Sequence, residues 1–280
     1  MAVQVNESSL DVQGVTVRFG GLTALDGVSL TAAPGQVTGI IGPNGAGKTT
    51  LLNVLCGFVR PQAGTIRFGG RELTGLRPHR LAGLGIARTL QGVGLFAGLS
   101  VIENVMVGAT VHARAGFWSA LLGAPRADRD EAQLRKRALD ALALAGIADQ
   151  AQAMPDTLAY GLRKRIALAR ALAAQPRLLL LDEPASGLSE QELPELGELI
   201  SRLAADMTLV VIEHRMDLMM SVCNTIAVLD FGRVIATGTP NQVQADPAVT
   251  AAYLGIEADA AASPGAEVPA DSQEKQVSDE

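Results

Sequence analysis

The 280-residue chain lacks three things that would have placed it in other functional classes. Cysteine is scarce: there are two, Cys56 and Cys223, each inside an apolar segment with no zinc-like spacing around it. A disulfide framework and a cysteine zinc site are therefore not expected, and two buried free thiols in a reducing compartment are. Long apolar runs are missing too. None approaches the roughly 20 residues needed to cross a bilayer, and Met1 to Asp11 has neither a basic start nor an apolar stretch, so neither a spanning helix nor a secretory leader is expected. The third absence is a surplus of positive charge, since 23 Lys and Arg stand against 29 Asp and Glu. Seven acidic residues and one lysine between Glu257 and Glu280 account for the whole net charge of −6, which leaves the rest of the chain close to neutral. Without a basic face, nucleic acid is not an expected partner.

What is present is apolar and ordered in its pattern. An apolar fraction of 48% is ample for a buried core. Leu10 to Phe19 and Leu22 to Leu30 alternate apolar with polar residues around Gly20-Gly21, which predicts an antiparallel pair at a sheet edge. Val37 to Ile41 is a short apolar strand that runs into a glycine loop and then into a helical stretch, Leu51 to Gly57. Further apolar strands are expected at Leu178 to Leu181, Leu209 to Ile212 and Ile226 to Leu229, with helices over Glu190 to Ala205 and His214 to Val222. From about Val101 to Gln175 the period is helical, as in Arg129 to Ala145 and Leu162 to Ala174. The expected fold is α/β: a P-loop NTPase core with a mostly parallel sheet, an antiparallel β edge subdomain and an inserted helical subdomain. The folded domain is placed at 8–256, with its core at 8–91 and 176–256 and the helical subdomain at about 92–175. The acidic tail, 257–280, has no periodicity and is expected to be disordered.

The chemistry concentrates in two places. Gly42-Pro43-Asn44-Gly45-Ala46-Gly47-Lys48-Thr49-Thr50 fits the phosphate-binding P-loop, two glycines with four residues between them followed by Lys and Thr. The glycines let successive backbone N–H groups turn inward around phosphates, and the helix starting there adds its positive end. Lys48 would reach the β and γ phosphates, and the Thr49 hydroxyl would bind magnesium. Further on, Leu178 to Leu181 leads into Asp182-Glu183, two carboxylates at the end of a buried strand, where an ionised group is costly without a partner. Asp182 is the candidate magnesium carboxylate and Glu183 the candidate base.

With these two motifs the sequence resembles the ATP-binding cassette family over about Leu10 to Gly255. The resemblance implies ATP and Mg2+ as ligands and further site residues by position. Gln91, after Ala87-Arg88-Thr89-Leu90, is similar to the glutamine that contacts magnesium and the attacking water. His214, after Val211-Ile212-Glu213, is similar to the histidine that bonds the γ phosphate. Phe19, at the end of the first strand, stands where an aromatic ring stacks on adenine. Leu158-Ala159-Tyr160-Gly161 occupies the signature position, and Ser186-Gly187-Leu188-Ser189 the loop that faces the partner; both serve an ATP bound by a second subunit. Ala159, Leu162 and Ser189 depart from the commonest family residues there, and the departures affect what this chain offers its partner. The expectation is an asymmetric dimer whose weaker site lies on the partner. His79 and His112 match no motif and are expected at the surface.

Gly85 to Gln91 with Leu95-Phe96, the stretch Ala115 to Arg129 containing Phe117 and Trp118, and Gly238-Thr239-Pro240 to Tyr253-Leu254-Gly255 are similar to the larger ATPase subunit of branched-chain amino acid importers. Ala159 and Tyr160 agree with that group, whereas Leu162 and Ser189 remain unusual in it. The resemblance implies a motor subunit on the cytoplasmic face of the membrane, with a second ATPase subunit, two membrane-spanning permease subunits and, indirectly, an external solute-binding protein. The same motor could serve urea, short amides or another solute. A cassette ATPase acting outside transport is a weaker fit, because the chain shows no sustained heptads and no second P-loop.

Overall fold

The computed structural model describes residues 8–89, 92–113 and 125–253. Strands β1 (Leu10–Phe19), β2 (Leu22–Ala32), β4 (Ala63–Phe68) and β5 (Arg71–Glu72) pair antiparallel in the order β2-β1-β4-β5. A second sheet is built from β3 (Val37–Ile41), β6 (Ile86–Arg88), β7 (Leu178–Asp182), β8 (Thr208–Ile212), β9 (Thr225–Asp230) and β10 (Arg233–Gly238), in the order β10-β9-β3-β8-β7-β6. It is parallel from β9 to β6, with β10 antiparallel at one edge. The fold is thus the expected α/β architecture, with one difference in the first hairpin. β1 is flanked on both sides, by β2 and β4, so only β2 lies at an edge.

The central strands read as unbroken apolar runs because both of their faces are covered. All five residues of β3, β7 and β8 are buried. Side chains alternate across the strands and are shared between two cores. Leu179 and Leu181 of β7, Leu209 and Val211 of β8 and Val37 and Ile41 of β3 face a core closed by helices α2 (Val101–Ala109), α3 (Pro125–Leu144), α4 (Tyr160–Leu172), α5 (Leu193–Ala204) and α6 (Met216–Val222). Leu178, Leu180, Val210, Ile212 and Ile40 face the other core, which the antiparallel sheet and helix α1 (Lys48–Leu55) complete.

Local signals set the helix ends. Ser100 and Glu103 form a capping box at the start of α2, with the Glu103 carboxylate accepting from the Ser100 amide at 2.7 Å. Asn104 is fully buried in α2, where its amide donates to the carbonyls of Phe96, Leu99 and Ser100 and its oxygen accepts from the Phe96 N–H. That fixes the turn leading into the helical group. α6 begins at Met216 rather than at His214 because the N–H groups of His214 and Arg215 point to the Glu213 carboxylate. Cys56 and Cys223 are buried and free, with burial pushing their thiols up to about 11 and about 12 respectively. No described helix is long and apolar enough to cross a membrane.

Leu180 joins β7 to the inner core with no exposed surface. Leu180→Ala should lower the free energy of unfolding by about 2–5 kcal/mol, read as a shifted urea midpoint at unchanged slope. A loss below about 1 kcal/mol would contradict a close-packed centre at this strand.

Candidate nucleotide-binding site

The site follows from strand register. Ile40 of β3 pairs with Ile212 of β8, and Ile212 pairs with Asp182 of β7, so the three strands end in one row. Immediately beyond that row come the glycine loop after β3, Glu183 after β7 and His214 after β8. In an open parallel sheet, the carboxyl ends of the strands are where ligands bind.

The loop can take its shape only as glycine at its turning points. Gly42 (φ 150°) and Gly47 (φ 102°) are both left-handed, and a Cβ on Gly47 would stand 2.7 Å from the Ala24 carbonyl. On Gly42 it would collide with the Leu229 carbonyl. Ala46 is buried beneath the loop and closes it by accepting the Gly232 N–H at 3.0 Å. Asn44, Gly45 and Thr49 are exposed, while Pro43 is buried and Gly47, Lys48 and Thr50 are half-buried. The Lys48 ammonium donates to the Gly42 and Pro43 carbonyls at 2.6 and 2.8 Å. Burial lowers its pKa, and the nearby Glu183 charge opposes that shift.

Asp182 is 5% exposed and is met by Arg88, whose guanidinium donates to it at 2.8 Å and to Asn53 of α1 at 2.9 Å. The Asp182 N–H also donates to the Thr89 hydroxyl. Glu183 has a φ of 46°, a conformation uncommon for a residue with a side chain. Its N–H donates to the Ile212 carbonyl, and Lys164 of α4 donates to the carbonyls of Glu183 and Pro184 at 2.9 and 3.0 Å. Glu213 has no exposed surface and accepts from the N–H groups of Ala185, His214 and Arg215. The His214 ring is 58% exposed, with Nδ1 3.4 Å from Glu213. Phe19 is half exposed at the end of β1, and Gln91 lies outside the described residues.

The signature residues open α4. Leu158 packs against the helical core, Ala159 is the N-cap without a side-chain bond, and the Tyr160 ring carries Arg163 and Lys164 over it at 5.7 Å each. Tyr160 rests on the backbone of Gly187, and Gly161 faces Leu188 and the Glu192 carboxylate. Ser186 turns back on Glu183 through an N–H bond of 3.2 Å. Ser189 gives both its N–H and its hydroxyl to Glu192, which lowers the pKa of that carboxyl. His79 is exposed as expected, whereas the His112 ring is half-buried and bonds the Ala174 carbonyl. Phe117, Trp118, Leu254, Gly255 and the acidic tail lie outside the described residues.

These donors fit a magnesium nucleotide. The first-turn N–H groups of α1 have no intrahelical acceptor, and they face the same row as one hydroxyl, Thr49, and one carboxylate, Asp182. Among the described residues no three His, Cys, Asp or Glu side chains cluster as a metal cage. Magnesium bound chiefly through a ligand's phosphates needs no such cage. Arg88, Asn53, Lys164 and Glu213 escaped the motif reading. Only Glu213 left a trace in sequence, as a carboxylate closing an apolar strand.

The ABC transporter family matches residues 25–186, and a branched-chain amino acid ATP-binding cassette transporter family matches residues 233–259. The chain is 42% identical to the high-affinity branched-chain amino acid transport ATP-binding protein BraF of Pseudomonas aeruginosa, over 88% of this chain and 97% of BraF. It is 40% identical to LivG of Escherichia coli K12, a protein described in the same words, over 90% of this chain and 99% of LivG. Among solved structures, the ADP conformation of the ATP-binding cassette MJ1267 superposes with a TM-score of 0.78 at 29% identity, covering 89% of this chain and all of that one. A dimeric post-hydrolysis cassette, MJ0796 bound to ADP and Pi, has a TM-score of 0.69 at 26% identity, covering 82% of this chain and 98% of that one.

Replacing Arg88 with Met would leave Asp182 buried without its cation. The loss in urea unfolding should be about 3–5 kcal/mol, and the double change Arg88→Met with Asp182→Asn should recover much of it. Equal losses in the single and double variants would mean that the pair does not govern this edge.

Proposed function

The chain belongs to the ABC transporter family, and on that premise we propose that it is the ATP-hydrolysing motor subunit of an importer for branched-chain or other hydrophobic amino acids. One row of residues carries the reading: the glycine loop, Asp182-Glu183 and His214 leave three adjacent parallel strands at the same level. In this reading the core spans 8–91 and 176–256, and the helical subdomain of about 92–175 is inserted between its halves.

The Gly42 to Thr50 loop, through its N–H groups at every position but Pro43, and the Lys48 ammonium hold the β and γ phosphates, and Phe19 stacks on the adenine. Thr49, Asp182 and Gln91 would hold magnesium, which would supply charge neutralisation on the transferred phosphoryl group. Glu183 accepts a proton from the attacking water, and His214 donates to the γ phosphate. Leu158 to Gly161 and Ser186 to Ser189 face the ATP of a second ATPase subunit. Because Ala159 and Leu162 bring no hydrogen-bonding side chain, and Ser189 gives its hydroxyl to Glu192 of its own chain, the weaker of the two sites is the partner's. Closure of the dimer moves two membrane-spanning permease subunits, which receive solute from an external binding protein. This chain works at the cytoplasmic face of the membrane. The 42% and 40% identities to BraF and LivG support amino acids as the solute class over urea or short amides.

Glu183→Gln keeps the shape of the side chain but removes the proton acceptor, so ATP turnover should fall by about 10²–10⁴-fold. Cells in which it replaces the wild-type chain should lose uptake of labelled leucine. Loss of urea or amide uptake with leucine unaffected would transfer the motor role to that solute. Undiminished ATP turnover would remove Glu183 from the reaction.

A further inference from the structure

The proposed base, Glu183, begins a three-residue stretch held from both sides by charged groups that carry no motif. On the carbonyl side stands a cation, the Lys164 ammonium, bonded to the Glu183 and Pro184 oxygens at 2.9 and 3.0 Å. On the amide side stands an anion, the Glu213 carboxylate, which takes the Ala185 N–H at 2.7 Å. The left-handed φ of 46° at Glu183 costs energy that a free strand end would relieve. Relief would turn the peptide at 183 and carry the side chain with it. The two charges oppose that turn, since each bonds a group that the kink presents.

Each charge also belongs to another part of the machine. Lys164 lies in the second turn of α4, four residues after Tyr160, and its Nζ stands 5.7 Å from the Tyr160 ring centroid. Glu213 uses its second oxygen for the N–H groups of His214 and Arg215, at 2.8 and 3.2 Å. The backbone of Glu183 therefore shares one pair of charges with the start of α4 and with the His214 turn. Burial disfavours the charged form of Lys164, and the carboxylates of Glu213 and Glu183 counter that.

We infer that Lys164 and Glu213 are positioning residues for ATP hydrolysis: together they fix the kinked backbone of Glu183, so that the carboxylate is aligned only while α4 sits in its place against the core. The inference rests on the reading of Glu183 as the base. Neither side chain is assigned a contact with nucleotide, so their loss should lower kcat and leave ATP affinity in place. A 1 Å displacement at a reacting centre can cost about 10²-fold in rate, and Lys164→Met should therefore reduce kcat by about 10- to 100-fold.

The test uses the transporter complex purified with the full chain. It compares kcat and KM for ATP, a separate equilibrium Kd for a fluorescent ATP analogue, and the melting temperature. Lys164→Met should lower kcat with Kd changed by less than about twofold, and Lys164→Arg, which still reaches both carbonyls with a charge, should restore most of the rate. In a Glu183→Gln background, where there is no base to align, Lys164→Met should cost nothing further. Should the Met variant fail to fold, Lys164→Gln, neutral but still a donor, carries the same comparison at smaller amplitude. Full activity in a folded Lys164→Met or Lys164→Gln complex overturns the inference, as does an equal fall in the Glu183→Gln background. Wild-type turnover by Glu183→Gln alone would instead overturn the assignment of the base.

Discussion

Two carboxylates close adjacent strands with almost no contact with water, Asp182 at 5% exposure and Glu213 at none, and the desolvation of an ionised group governs what must surround them. The effective penalty is several kcal/mol per ion unless hydrogen bonds and opposite charge replace the lost water. Asp182 meets that demand with Arg88 from the neighbouring strand β6, and Glu213 with three backbone N–H groups and the nearby charge of Lys164. These compensators come from a sheet strand, from two loops and from a helix of the inserted group. β6 and α4 thus each bring a cation to the carboxylates at the sheet's end.

The opposite wall of the site is built by steric exclusion. Gly47 approaches the Ala24 carbonyl and the Leu25 side chain closely, while Gly232 of the β9–β10 turn binds Ala46 on one side and Asp26 on the other. Arg233 then pairs with Asp26 across the same seam. The antiparallel sheet thereby has a task besides enlarging the core: β2 packs the glycine loop against the β9–β10 turn and braces the loop's shape. A loop braced by such contacts has less freedom to lose when a ligand binds, and a smaller ordering cost means a larger net affinity.

Legibility in the sequence followed the range of the interactions. β3, β7, β8 and the glycine loop could be read residue by residue, because continuous burial and phosphate binding both demand particular residue types in consecutive order. Helical periodicity alone starts α6 two residues too early, since the Glu213 carboxylate captures N–H groups that the pattern would give to the helix. β4 and β10 carry no clear strand pattern, because each mixes glycine, threonine and arginine with few large apolar residues, and β4 pairs with β1 far back in the chain. Arg88 and Lys164 leave no local signal for the same reason. An arginine in an Ala-Arg-Thr stretch or a lysine in an Arg-Lys-Arg run looks like solvated surface until the fold shows which carboxylate or carbonyl it meets.

The residues around the signature position acquire a physical sense from the same contacts. Tyr160 covers Gly187, Gly161 faces Glu192, and Glu192 is held by both the N–H and the hydroxyl of Ser189. The opening of α4 and the Ser186 to Ser189 loop are consequently one packed unit. An aromatic ring at 160 supplies the contact area that locks the loop to the helix, and Lys164 ties the same unit to the backbone of Glu183. In the proposed dimer this unit faces the partner's ATP, so the surface offered to the neighbour and the alignment of this chain's own base rest on a single rigid element. In that dimer a shift of α4 would act on both sites at once.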